Sequence, residues 1–408
     1  MKTLLLPTLI LLLIPRISHA ESWDCEVFPT EREVVTDPTS GAKLTLITGN
    51  TAEDLNLYFH QRSWLADGSL LIFRTQRGGA SEIFGYLEAT GELVRLQRPG
   101  QAIAGDPCAG RRDSRIYVIH DQAAYSWKPE IKIGSGDKPS TVRIEETLIG
   151  KLPERAASSL GLNDNSDGTA LVSGFTLRGS NGSEIVLMNK ADGAVKTLAA
   201  FEVVVTHLQA SWEDPDLVLF AHGGRVSDRA KDVQAGEVAA RMYLVDSSGK
   251  APWPIYPQLD GELVTHECWW TENRVLFCSG INRDGHEEEA HVKEIDLDTG
   301  IARIIGAGCW WPTGTPAEVS KYNWWHCAGS PCGRFAAADN WHGDIGIFSG
   351  KTARARILTQ NHRTYGHGAH PHVGWNNEGS KVVFTSTRRG NPDVCVAELP
   401  ESWLREGW

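Results

Sequence analysis

Along most of the 408 residues, short apolar runs alternate with polar turns, and within many runs every second position is apolar, the two-residue period of a strand; no stretch keeps the longer period of a helix. A turn signal followed by an apolar run recurs from end to end. The instances are Ala66-Asp67-Gly68 before Leu70, Arg112-Asp113 before Ile116, Ser166-Asp167-Gly168 before Ala170, Asp214-Pro215-Asp216 before Leu217, Glu272-Asn273 before Val275, Pro331-Cys332-Gly333 before Phe335 and Asn377-Glu378-Gly379 before Val382. Successive runs start roughly 45 to 60 residues apart. Several units continue with further short strands around Gly turns, as in Glu82 to Leu87, Ala89-Thr90-Gly91-Glu92 and Leu93 to Leu96. Short strands and Asp/Gly turns at this period predict four-stranded propeller blades. The expectation is all-β, a single seven-bladed β-propeller over residues 21–408, with Lys43 to Ile47 completing the last blade and closing the ring. A blade alone leaves a face unburied, so the seven fold as a unit.

Histidines share a register in this pattern. His60, His207, His266, His326 and His372 each lie some nine or ten residues before an apolar run, in the units numbered one, four, five, six and seven. Placed at equivalent positions around a ring, their imidazoles converge on one side of the channel mouth, and the apolar runs are taken as the first, channel-lining strands. The densest cluster is His367-Gly368-Ala369-His370-Pro371-His372. On an extended segment, residues two apart point the same way, so His370 and His372 can share an ion, with Gly368 letting His367 swing in and His266 adding a fourth ligand. Such a set suits manganese, zinc or another transition metal. A stiff, solvated His-Pro-His loop is the bland alternative.

Composition narrows the class. The chain is 41% hydrophobic and carries a formal net charge of -11, which argues against a nucleic-acid partner. Residues 1–20 read as a secretory signal peptide, with basic Lys2, an apolar run from Leu4 to Ile14 and a small-residue site at Ser18-His19-Ala20; no later segment predicts a membrane span. A secreted or periplasmic location follows, and with it an expectation that most of the 8 cysteines are paired, Cys327 and Cys332 being near enough to close a small loop. The oligomeric state is left open. The 15 tryptophans include the adjacent pairs Trp269-Trp270, Trp310-Trp311 and Trp324-Trp325, read either as packing between blades or as sugar-stacking surfaces.

Thr265-His266-Glu267 with Trp269, His370-Pro371-His372, the stretch from Val383-Phe384-Thr385-Ser386 to Leu399-Pro400-Glu401-Ser402, and Thr36-Asp37-Pro38-Thr39-Ser40-Gly41 together resemble the oligogalacturonate lyases. The resemblance implies a seven-bladed propeller that cleaves short pectin fragments by β-elimination with bound manganese. It implies ligation by His266, His370 and His372, with His367 at the position of a family glutamine. His60 stands where the family has a tyrosine. Propeller ulvan lyases are a close competitor, and an acidic, uronate-containing oligo- or polysaccharide is the expected partner. A non-catalytic TolB-like propeller and a metal-dependent hydrolase are the rival classes; no Gly-x-Ser-x-Gly motif supports the latter.

Elimination needs a base for the proton next to the uronate carboxylate and a cation to offset that carboxylate. His207 is the expected base, with His222 and Arg225, in His222-Gly223-Gly224-Arg225, beside it; Arg225 is the expected carboxylate partner. His60, Arg62 and His326 are the expected substrate contacts.

Overall fold

The computed structural model describes residues 21–222, 240–259, 262–281, 291–308, 323–340, 342–362, 369–406 and 408. Arg225, His367, Trp310, Trp311, Cys309 and the leader at 1–20 lie outside them. Seven antiparallel sheets form the blades of a β-propeller. Blades three to six are four-stranded meanders in simple chain order, for example Glu262–Trp270, Arg274–Ile281, His291–Asp296 and Ala302–Gly306 in blade five. The described helix Glu401–Glu406 is short, and no described helix is long and apolar enough to cross a membrane.

The ring closes where expected. Strand Lys43–Leu46 pairs with Asp393–Glu398, placing Leu46 opposite Cys395 and Leu44 opposite Ala397. The N-terminal segment also does more than close the last blade. Glu21–Asp24 forms the outer edge of blade two, Glu26–Phe28 that of blade one, and Glu33–Thr36 that of blade seven. One strap therefore laces three neighbouring blades.

The register of the histidines is corrected in one respect. The apolar runs chosen from the sequence are second strands: Leu70–Thr75 pairs on its inner side with Asp54–Asn56, and Val218–Ala221 with Thr206–Ala210. The innermost strands lie just before them; those of blades four, five and six carry His207, His266 and His326, while His60 follows the inner strand of blade one and His372 precedes that of blade seven. They escape an apolarity search because one side faces the channel, so they are short, polar and irregular.

The aromatic residues hold blade to blade. Trp269 is fully buried and donates its indole N–H to Gln209 O of blade four at 3.1 Å, while Trp270 donates to Ser330 O of blade six at 3.0 Å. Gly329 is required there, because a Cβ would come within 2.2 Å of the Trp270 ring. Trp324 donates to Ala307 O at 3.1 Å. For these three, packing between blades accounts for the abundance; Trp325 alone of the described pairs reaches the histidines, its ring 4.9 Å from that of His266. The expected disulfides are absent among the described cysteines: seven are free thiols. Cys327 is buried and points its Sγ at His266 O, 3.5 Å away, whereas Cys332 is exposed beside Ser330 Oγ, so the two face different surroundings and do not close a loop.

Candidate active site and metal centre

Backbone irregularity aims the histidines. The inner strands of blades four, five and six each slip register at the histidine, between Thr206 and Gln209, Thr265 and Cys268, and Trp324 and Cys327. Such bulges turn a side chain out of the ladder. His207, His266 and His372 also adopt left-handed backbone, with φ of 51°, 53° and 49°. This conformation is uncommon for a residue with a Cβ and costs roughly 1–3 kcal/mol at each position. In blade one the chain leaves the ladder between Asn56 and Trp64 and carries Tyr58, Phe59 and His60 across the axis.

The result is a single layer of rings. His326 lies 4.1 Å from His266, 4.4 Å from His372 and 5.4 Å from His370, centroid to centroid, and His207 lies 5.7 Å from His60 and 6.1 Å from His266. Phe59 packs against His60, His207, His266 and His326 at 5.2–5.9 Å. All five register-matched histidines therefore meet in one place.

His326, His370 and His372 have one ligand atom each within 4.8 Å of one another and can hold a metal ion. His326, expected from sequence as a substrate contact, is one of these three, and the ring of His266, expected as a ligand, packs 4.1 Å from it. The buried carboxylate of Asp339 sets this group. It accepts from His326 Nδ1 at 3.0 Å and from the backbone N–H of His372 at 2.9 Å. With Nδ1 engaged, His326 is left with Nε2 to offer a metal, an outer-shell arrangement that fixes tautomer and ring orientation together. Burial raises the Asp339 carboxyl to about 6. Burial, followed by neighbouring imidazoles, holds His326, His266 and His372 well below their ordinary values, and His60 at about 3. These rings are neutral, the form that ligates. The buried Nδ1 atoms of His266 and His60 have no hydrogen-bond partner.

A second network adjoins the first. His207 Nδ1 lies 2.7 Å from Glu267 Oε1, and Arg241 Nε donates to Glu267 Oε2 at 2.9 Å. Tyr58 Oη lies 3.2 Å from His207 Nε2. Although burial opposes ionisation of Glu267, Arg241 and His207 outweigh it and hold the carboxyl far below its ordinary range. A carboxylate at Nδ1 places the ring proton there and leaves the Nε2 lone pair facing the Tyr58 hydroxyl. Burial, then the Glu267 charge, pushes the Tyr58 phenol above its ordinary value, so it stays protonated.

Beside His207 opens a groove of about 370 Å³, lined by Tyr58, His60, Asp106, Ser159, Gly161 and Thr206 among others. It lies against blades two and three, the two without a register-matched histidine, so the site is built on one side of the channel mouth. Gly161, with φ of 131°, and its neighbours Ser159 and Leu160 occupy the register that carries a histidine in blade four, leaving room for a ligand.

Two expected residues make other contacts. His222 follows the strand Val218–Ala221, whose Ala221 pairs with Thr206 beside His207, and its ring lies 6.3 and 5.6 Å from those of Phe201 and Tyr243. Arg62 donates to Asn377 Oδ1 at 2.9 Å and lines a cavity on the other side of His60. Glu267, Asp339, Arg241 and Tyr58 are the functional candidates that sequence reasoning missed. Glu267 stands inside a quoted motif, Thr265-His266-Glu267, but nothing in the pattern distinguishes it.

The sequence matches no family model and no curated protein. Its fold does match solved structures. Oligogalacturonate lyase from Vibrio parahaemolyticus superposes with a TM-score of 0.71 at 18% identity, covering 93% of this chain and 99% of that one. A structure of oligogalacturonate lyase in complex with manganese gives the same 0.71, 18%, 93% and 99%. A puromycin-hydrolysing peptidase of Mycobacterium tuberculosis matches at 0.50 and 12% over 83% of this chain and 54% of that one. The chain is thus a seven-bladed β-propeller built, over nearly its whole described length, like the oligogalacturonate lyases.

Proposed function

We propose that this protein is a metal-dependent lyase that cleaves a 4-linked, uronate-containing glycan by β-elimination, acting outside the cytoplasm as the leader at 1–20 suggests. The observation that carries the reading is the meeting, at one channel mouth, of a His326–His370–His372 triad and a Tyr58–His207–Glu267 proton-transfer chain. The donor set fits a divalent transition metal. Three imidazoles converge, His326 is oriented by Asp339, and His266 Nδ1 is buried without a partner beside them. Manganese is favoured by the likeness to the manganese-bound lyase, with zinc the rival. His266 and His367 are proposed as additional ligands.

When bound, the metal supplies positive charge that offsets the uronate carboxylate and makes the neighbouring carbon easier to deprotonate. The chain's own residues handle the protons. His207, held through Nδ1 by Glu267, accepts the proton from that carbon at Nε2. The C–H electron pair becomes the ring double bond, the glycosidic C–O bond breaks, and the Tyr58 hydroxyl gives its proton to the departing oxygen. Transfer from His207 Nε2–H back to Tyr58 restores both groups, because the two already share a hydrogen bond. Arg241 keeps Glu267 ionised and therefore keeps His207 in the basic tautomer. The groove against blades two and three receives the sugar.

The test is to incubate the purified protein with manganese and pectate fragments, ulvan and other uronate polymers, following the ultraviolet absorbance of the conjugated unsaturated product. Product on at least one of them, abolished by chelator, is expected; ulvan as the sole substrate would favour the sulfated-polymer reading. No product on any uronate overturns the proposal.

A further inference from the structure

The seam between blades seven and one holds a polar cleft that the proposed chemistry does not use. Its volume is about 290 Å³, and it shares no lining residue with the groove beside His207 or with the cavity at Arg62. On the blade-seven side the strands Lys381–Ser386, Asp393–Glu398, Lys43–Leu46 and Glu33–Thr36 lie side by side. Register puts Lys381 opposite Glu398 and Glu398 opposite Lys43, a row of alternating charge across three strands. Two positions along the same face, Val396 lies opposite Thr45 and Thr45 opposite Val34, with Ile47 two residues beyond Thr45. The face is therefore charged at one end and mainly apolar at the other. Tyr86 and Glu88 of blade one form the opposite wall, and Arg32 of the N-terminal strap completes the lining.

The cations of this cleft have donors to spare. Lys43 Nζ meets Glu398 Oε1 at 2.9 Å, and Lys381 Nζ meets Glu88 Oε2 at 2.9 Å across the seam. Each ammonium carries three donors, so both keep N–H groups for a ligand. The other Glu88 oxygen accepts from Trp64 Nε1 at 2.7 Å. Arg32 forms no ion pair among the described residues, and its acidic neighbours are engaged elsewhere, Glu31 with Arg77 at 2.7 Å and Glu33 with Arg389 at 3.2 Å. Its side chain lies against the blade-one turn at Gly91, where an added Cβ would come within 2.8 Å of Arg32 Cδ. Three cations thus face two carboxylates, and the surplus one, Arg32, is exposed to solvent.

We propose that this cleft binds one uronate residue of an acidic glycan, at a site separate from the one that cleaves it. The choice of a uronate rests on the lyase reading, and the chemistry of the walls agrees with it. Arg32 presents the paired donors that match a carboxylate. The spare Nζ–H groups of Lys43 and Lys381 and the carboxylate of Glu398 meet ring hydroxyls. Ile47, Tyr86 and Val396, which pack in one apolar cluster, take the C–H face of the sugar. At about 290 Å³ the cleft is at the small end of ligand pockets, which suits a single sugar. Holding one residue of the polymer here raises the local concentration of its other residues at the channel mouth.

Calorimetric titration of the chelator-treated full chain with galacturonate and glucuronate, and with galactose as the neutral control, tests the site. Saturable binding of at least one uronate, equal in wild type and His370→Ala, is expected, with galactose about tenfold weaker or unbound. Arg32→Gln should weaken the uronate roughly tenfold, the loss of one charge-assisted pair, and Arg32→Lys should recover part of it. Arg32 is exposed, so both variants should melt like wild type. No saturable uronate binding in wild type, galactose bound as well as the uronates, undiminished binding in Arg32→Gln, or loss in His370→Ala overturns the proposal. The lyase reading is judged apart from this: a chain that binds uronate here but yields no unsaturated product keeps the site and loses the lyase, and one that cleaves without such binding does the reverse.

Discussion

At the residue scale, the site is held by groups whose own positions are over-determined. His207, His266 and His372 remain in left-handed backbone because neighbours fix them: Glu267 holds the His207 ring, Cys327 meets His266 O, and Asp339 and Asn56 grip the His372 backbone. Roughly 1–3 kcal/mol of strain at each is the expected cost of aiming three imidazoles at one volume. Replacing His207 by Ala should lower kcat on the preferred uronate by about 10²–10⁴, and Tyr58→Phe should lower kcat with KM nearly unchanged, because the hydroxyl acts on the departing oxygen. Steady-state measurement of unsaturated product decides both; a Tyr58→Phe enzyme of full kcat would remove the phenol from the chemistry. The register of five histidines is legible in the sequence because spacing alone reveals it. Glu267, Asp339 and Arg241 are not, because each earns its role through a partner some 13 to 60 residues away, and an acid following apolar residues looks like any strand end. The candidacy of His326 as a ligand is hidden for the same reason: its contact with Asp339 and its closeness to His370 and His372 are visible in the fold and not in the spacing.

At the scale of the element, irregular inner strands were harder to read than the regular second strands they support. Leu70–Thr75 and Phe335–Asn340 announce themselves by apolarity, whereas the bulged strands that carry function do not. The strap is a similar case. Lys43–Leu46 is apolar enough to be read as a closing strand, but Glu21–Asp24 and Glu26–Phe28 are largely exposed edges that nothing in the pattern assigns to blades two and one. A chain beginning at Glu33 should fold with a Tm lowered by several degrees, and one beginning at Gly49 should fail to fold, because blade seven then lacks its fourth and fifth strands. Equal Tm values for the full and shortened chains would show that the lacing is incidental. Glu262 opens the inner strand of blade five and accepts from Lys293 Nζ at 2.8 Å and Ser279 Oγ at 2.6 Å. Burial opposes its ionisation, but these partners prevail and its folded pKa lies below the unfolded value of 4.5. Its contribution to stability is therefore present above pH 4.5 and is lost as pH falls through the lowered folded value. Glu262→Gln should be less stable than wild type at neutral pH by on the order of 3 kcal/mol, the gap closing as acid protonates the wild-type carboxyl. Denaturant unfolding at a series of pH values tests this, and a gap independent of pH would contradict it.

At the scale of the whole molecule, closure converts a sequence repeat into a convergent site. Seven inner strands meet at one axis, so residues such as His60 and His372, more than three hundred positions apart in the chain, share one layer of rings. Blades four to seven furnish imidazoles and blades two and three furnish space, which is why the groove lies to one side. Fold and closure followed from the turn-and-strand period because it repeats seven times; the disulfides did not, because cysteine number says nothing about direction, and even Cys268, Cys278 and Cys327, which share one core cluster, are free thiols. The most direct test of the central claim is anomalous diffraction from crystals soaked in manganese. A single peak within ligand distance of His326, His370 and His372, beside the Tyr58–His207 pair, is the predicted result. A fully soaked crystal with no peak there, or with manganese held elsewhere on the ring, would contradict the account.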